Sequence, residues 1–248
     1  MLDLPRSIQL ALWLPHARST AALERAATVV QHADEPHTVA GDDGAPGPGL
    51  LDRLAAWGGV VQQVAAALPV PGDVVGVPAT VSAAAVDAGE CLLVTTPAGS
   101  FAAVPQIEEF GSAAEPGYLV EWRVAPVAPW SLTVVGAVGT LPEAERELRG
   151  ALLTATDALD ALGTAQWRPE AAEALEALRA TPWHLPPDLD QRRARVLALA
   201  ARLRVVVGLA TTDDGGAVNL WQSDQRSAAL RHVDHAARRA LCAATLVV

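Results

Sequence analysis

The stretch CLLVTTPAGSFAAVP, residues 91–105, decides how this chain reads. Helical periodicity gives way there to short apolar runs bounded by Pro and Gly, over residues 91–96 and 100–105. Two more runs of the same kind follow: YLVEWRV at 118–124 and SLTVVGAV at 131–138. The pattern predicts four strands. Most of the intervals between them are too short for a helical crossover, so the strands are expected to be antiparallel. The result is a meander or mixed sheet that can also recruit residues 8–14 as a first strand.

Upstream of this region, a helix is predicted over about 18–33, with Ala22, Ala26, Val29, Val30 and Ala33 on one face. The breaker-rich segment 35–49, with Gly41-Asp42-Asp43-Gly44, predicts an exposed loop. A second helical stripe, Leu50, Leu54, Trp57, Val61, Val64 and Leu68, ends at Pro69-Val70-Pro71-Gly72, and a short helix is expected over 79–88.

Downstream the chain turns helical at a well-marked point. Thr140-Leu141-Pro142-Glu143 fits a capping box, in which the acidic side chain reaches back to the amide of the capping residue. Ala144, Leu148, Leu152, Ala155, Leu159 and Leu162 form the buried stripe of the helix that follows. Further helices are predicted over 169–180, over 188–209 (Leu189, Val196, Leu203, Val207, Ala210) and over 223–245 (Leu230, Val233, Ala237, Leu241, Ala244). Helices gathered at one end of a β region define an α+β fold: a mainly antiparallel sheet in the N-terminal and middle part, with a C-terminal helical bundle packed beside it. The predicted division is 1–139 and 140–248.

Composition bounds the function. With 248 residues, 51% of them hydrophobic, the chain can build a sizeable core, and its seven Trp must supply most of the aromatic filling. It contains no Lys, which excludes Schiff-base, phosphate-loop-lysine and lysine-base chemistry. The net charge is −10, yet from Asp188 onward 9 Arg face 6 Asp and Glu. That local excess suits either helices docking through Arg onto an acidic remainder or a nucleic-acid surface of Arg192, Arg193, Arg195, Arg231, Arg238 and Arg239, and thin basic clustering favours the first. Cys91 and Cys242 fit no metal or disulfide spacing and read as buried thiols of a reducing compartment. Residues 8–14 lack a basic start and a cleavage site, and each long uncharged stretch is broken by Pro, Gly or Gln. A cytoplasmic location and no membrane association are expected.

Several constellations could carry chemistry. His232 and His235 lie three apart on a helix, within reach of one ion that Asp213 could complete, but two ligands are not a site and an ordinary polar helix face is the favoured reading. Gly47-Pro48-Gly49 precedes a helix but lacks the third glycine and the leading strand of a dinucleotide fingerprint. Glu108-Glu109, with Glu115 and Glu121 nearby, resembles a carboxylate pair, but adjacent residues on a loop point apart, and a solvated loop is expected. In Trp183-His184-Leu185-Pro186-Pro187, an indole and an imidazole sit on a rigid connection that either lines a pocket or plugs the bundle. No catalytic signature motif is present, and no cofactor is predicted.

The phrases Pro71-Gly72-Asp73, Asp87-Ala88-Gly89-Glu90, Gln166-Trp167-Arg168-Pro169-Glu170 and Asp213-Asp214-Gly215-Gly216-Ala217-Val218 are similar to those of an uncharacterised protein family of GC-rich actinobacteria. The resemblance runs from Leu50 onward and implies no activity or site. The leading expectation is a non-enzymatic protein acting through protein contacts, with a partner or with itself as a homodimer, through Ala-rich helices or an exposed strand edge. The alternative is an enzyme or small-ligand binder with a pocket between sheet and bundle, using Glu121, Arg123, Trp183 and His184 or the Asp213 and His235 group.

Overall fold

The computed structural model describes residues 4–32, 34–40, 47–112, 115–161, 184–211 and 220–248. They form two units. The first holds Leu4–Val138 with His184–Asp188 and Thr245–Val248; the second is helical and begins at Gly139.

The first unit is built on a five-stranded sheet in the order β1-β5-β4-β3-β2: β1 is Thr38–Val39, β2 Gln63–Ala67, β3 Cys91–Thr96, β4 Gly99–Ser112 and β5 Glu115–Val127. The meander β2-β3-β4-β5 is antiparallel, whereas β1 lies parallel to β5, so the sheet is mixed. Three of the four strands expected from the sequence are present. The run at 100–105 is the inner end of a much longer strand and that at 118–124 the middle of another, and β4 pairs with β5 from Ser100↔Val127 out to Ser112↔Glu115. Glu108 and Glu109 therefore sit on a strand, where a loop was expected.

Four segments differ from expectation; the one at 35–49, expected as an exposed loop, carries β1 and buries His37 and Val39. The predicted first strand, 8–14, is helix α1 (Arg6–Trp13) followed by a 3-10 turn. Ile8, Leu10, Ala11, Leu12, Trp13 and Leu14 are all buried, and a helix covered on nearly every side loses the periodic signal that separates it from a strand. The predicted helix 50–68 stops early: α3 spans Leu50–Gly58, and the Ala-rich remainder is strand β2, its Val64–Ala67 buried against β3. Pairing and burial there override the helical preference of Ala. The run at 131–138 is helix α5 (Ser131–Val138), with Val134 and Val138 buried one turn apart and Leu132 88% exposed. Its first turn lies on Gly76, at φ +75°, where any side chain would meet the Thr133 carbonyl.

Helices α2 (Thr20–Gln31) and α4 (Ser82–Ala88) form close to where they were expected. The Ser19 hydroxyl caps α2 by accepting from the Ala22 amide. The outer edge of β2 is closed by the end of the chain: Val64 and Val247 exchange main-chain hydrogen bonds at 2.9 Å, and Thr245 Oγ1 accepts from the Ala66 amide.

In the second unit the capping box forms as read, with the Thr140 amide and hydroxyl both donating to Glu143 Oε2 at 2.8 and 2.7 Å. These contacts, the backbone one first, hold the Glu143 carboxyl below its ordinary range. Helix α6 (Leu141–Ala161) buries Ala144, Leu148, Ala151 and Ala155; α7 (Gln191–Thr211) buries Val196, Leu197, Ala200, Leu203 and Val207; α8 (Leu220–Thr245) buries Leu230, Val233, Ala237 and Leu241 among others. Glu145 joins Arg149 and Arg192, Asp234 joins Arg204 and Arg238, and Arg239 reaches Glu147 at 3.6 Å. The helix predicted over 169–180 lies outside the described residues.

Candidate functional site

The long β4–β5 hairpin divides into two parts. From Ala102 to Pro105 β4 is buried; from Gln106 to Ser112 every residue is exposed. Strand β3 leaves β4 after the pair Leu92↔Ala103, so beyond this point β4 and β5 continue as a two-stranded ribbon. Residues paired across antiparallel strands share a face. One face carries Pro105 with Trp122, Ile107 with Val120, and Glu109 with Tyr118; the other carries Gln106 with Glu121, Glu108 with Leu119, and Phe110 with Gly117. Ile107, Phe110 and Leu119 are 39, 43 and 48% exposed, and Glu108, Glu109 and Glu115 are exposed beside them. Phe110 lies over Gly117, where a Cβ would run into the ring, so the aromatic covers the backbone that glycine leaves open.

The base of the ribbon is held by a partly buried polar network. Arg6 forks onto Asp34 with Nε to Oδ2 at 2.6 Å and Nη2 to Oδ1 at 2.8 Å. His37 Nε2 meets Asp34 Oδ2 at 2.9 Å, and the Trp122 indole N–H donates to His37 Nδ1 at 3.2 Å. The indole can only donate, so Nδ1 must accept and Nε2 must carry the proton toward Asp34. Burial is the largest influence on His37 and holds the imidazole below its ordinary value, against the pull of Asp34. Burial alone would raise Asp34, but its hydrogen bonds from Arg6 and His37, with their charges, keep it below the usual carboxylate range. Arg6 also stacks over Tyr118, 5.5 Å from the ring centroid. Nearby, buried Glu90 accepts from the Ser7 amide at 2.6 Å.

Both nitrogens of His37 are committed, so the imidazole has no lone pair to offer a substrate. The network acts as a clamp joining α1, the segment after α2, and β5. Burial, with Glu90 adding to it, pushes the neighbouring Cys91 thiol up to about 12, which removes it as a nucleophile at neutral pH. Cys242, on α8, is also buried and outside any disulfide.

The residues singled out from sequence lie as follows. Glu121 and Arg123 share a face of β5 near the base of the ribbon, with Arg123 Nε 3.9 Å from Glu121 Oε2. His184 is exposed, and its carbonyl accepts from the Trp13 indole at 2.9 Å. Trp183 and Asp213 lie outside the described residues. On α8, His232 is exposed and His235 half-buried, while Asp234 between them is engaged by two arginines. Among the described residues, no group of three or more His, Cys, Asp or Glu could hold a metal ion, and no helix is long and apolar enough to cross a membrane. The clamp was not foreseen: Arg6, Asp34 and Trp122 are far apart in the chain, and only the spacing of three between Asp34 and His37 offered a local signal.

Sheet unit and helical unit together define a two-part α+β protein with a projecting β-ribbon. Residues 7–135 match the Rv1486c-like protein N-terminal domain, and residues 142–242 match the Rv1486c-like protein C-terminal domain; the chain belongs to this family. No curated protein and no solved structure matches the chain. The family name carries no activity.

Proposed function

We propose that this is a cytoplasmic, non-enzymatic protein that works through protein contacts, and that the outer half of the β4–β5 ribbon is its contact surface. The observation that carries the reading is the exposure of Phe110 and Leu119 on one face, and of Ile107 on the other, of a ribbon that continues past β3. Large apolar side chains grouped at the surface cost solvation free energy unless something covers them, roughly 25 cal/mol for each Å² left in water. The clamp at the base supports the same reading. It fixes the direction of the ribbon while leaving no free base at His37. Two buried cysteines outside any disulfide suit a reducing compartment.

The test is a photo-crosslinking residue placed at Phe110 in the full chain inside the producing cell, compared with the same residue at Leu153, which is 67% exposed on α6. A discrete protein adduct specific to position 110 is expected. Its mass distinguishes a second copy from a different protein. Equal, diffuse labelling from both positions would overturn the reading.

A further inference from the structure

The main-chain geometry of the ribbon says which of its surfaces is built for pairing. On the β1 side of β5, the carbonyls of Tyr118 and Trp122 accept from the Glu35 and Ala40 amides at 3.0 and 2.9 Å. Main-chain groups alternate sides along a strand, so the even-numbered residues of β5 face outward there and Leu119 and Glu121 face β4. Their partners, Glu108 and Gln106, therefore bond to β5, and Pro105, Ile107 and Glu109 turn their main-chain groups the other way. Pro105 agrees with this phase, because a proline without an N–H fits where no ladder bond is made.

Along that edge β3 has already departed, and among the described residues no strand replaces it. The other flanks of the sheet are covered where they are nearest: β2 by Thr245 and Val247, and the β4-distal side of β5, from Tyr118 to Trp122, by β1 and the segment around it. Open edges in native sheets are templates for another strand, and this one is solvent-facing from Ile107 outward, past the buried Pro105.

We infer that the open edge of β4 at Ile107–Glu109 binds an extended, cationic segment of a partner protein by strand addition. This rests on the contact reading above and names its chemistry. The side-chain order Ile107-Glu108-Glu109-Phe110 is apolar, acidic, acidic, apolar, and no Arg lies on β4 or on β5 before Arg123. A strand laid beside it places side chains alternately on the same two faces, so the complementary segment reads apolar, basic, basic, apolar. The two carboxylates also argue against a second copy as the occupant, because edge-to-edge pairing of β4 with itself would bring Glu108 and Glu109 of both copies together in one ladder.

The test uses the full chain and three capped nine-residue peptides flanked by Thr: one centred on Val-Arg-Arg-Val, one on Val-Glu-Glu-Val, and one with the residues of the first in scrambled order. At saturating peptide, amide exchange at Ile107 and Glu109 is expected to slow at least about tenfold with the first peptide only. Ile107→Pro removes an edge donor that β5 does not use, and should abolish that protection while leaving the melting temperature near that of the parent. The paired change Glu108→Gln with Glu109→Gln should weaken binding about tenfold and flatten its salt dependence. Equal protection by the acidic or scrambled peptide, binding without slowed exchange at Ile107 and Glu109, or concentration-dependent protection in the absence of peptide would overturn the inference. If it is overturned while the adduct at position 110 persists, the ribbon remains a contact surface of another kind; loss of both removes the contact reading as well.

Discussion

The inner and outer halves of the β4–β5 hairpin share one continuous ladder and have opposite surroundings. At the inner half, Trp122 is 1% exposed and tied through His37 and Asp34 to Arg6; at the outer half, Leu119 is 48% exposed three residues away. Strand pairing therefore continues well past the point where burial stops. The hydrogen-bonded ladder sets the path of the chain, while side-chain burial and the polar clamp supply the stability that holds the ladder in place.

The most forceful way to break this contrast is Trp122→Ala. Removing the indole empties a buried site and leaves His37 Nδ1 without its donor, so a loss of about 3–5 kcal/mol in chemical denaturation is expected. Next comes Asp34→Asn, which replaces the forked carboxylate under Arg6 and His37. A loss of about 1.5–3 kcal/mol is expected, read as a lower denaturation midpoint at unchanged slope.

Titration sharpens the contrast in another way. His37 is held below its ordinary value of 6.5, so below about that pH the unfolded chain takes up a proton that the folded chain refuses. Stability should be complete above this value and fall as pH drops below it, by at most about 1.4 kcal/mol per pH unit. Asp34, held below its ordinary 3.8, adds a second loss only in stronger acid, as pH falls through its folded value. His37→Gln should remove the first of these two losses, which denaturation midpoints between pH 7 and 4 would reveal. The smallest effects belong to the outer half. Phe110→Ala should cost about 0.2–1 kcal/mol through its lost packing on Gly117, and Leu119→Ser should stay within about 0.5 kcal/mol, even though both would weaken partner capture. A large loss of stability from Leu119→Ser would show that the outer half is buried in solution and end the contrast.

Sequence legibility follows the same division between local and long-range causes. The helical stripes through Leu148, Val196 and Leu241 and the Thr140 capping box are local patterns, and each appears where its spacing places it. Residues 8–14, 63–67 and 131–138 were misread because their conformations are decided by what covers them: α1 is enclosed on nearly all sides, Ala65–Ala67 are recruited by β3, and Val134 and Val138 are selected by one buried helical face. The ribbon itself was half legible. The runs at 100–105 and 118–124 are dense in apolar residues, whereas the outer part of β4 and the first residues of β5 are rich in Glu and Gly and resemble a loop, and only pairing makes them strands. The hydrogen bonds of the clamp join residues up to 85 positions apart, and no window of sequence contains it.

The two thiols offer a built-in reporter of opening. Cys91 lies in the sheet unit and Cys242 in the helical unit; each is 0% exposed, and a maleimide or disulfide reagent can reach either only after its surroundings come apart. Labelling rates at the two positions, resolved by peptide mass, would therefore time the unfolding of each unit separately in the unmodified chain, with no dye, tag or substitution introduced.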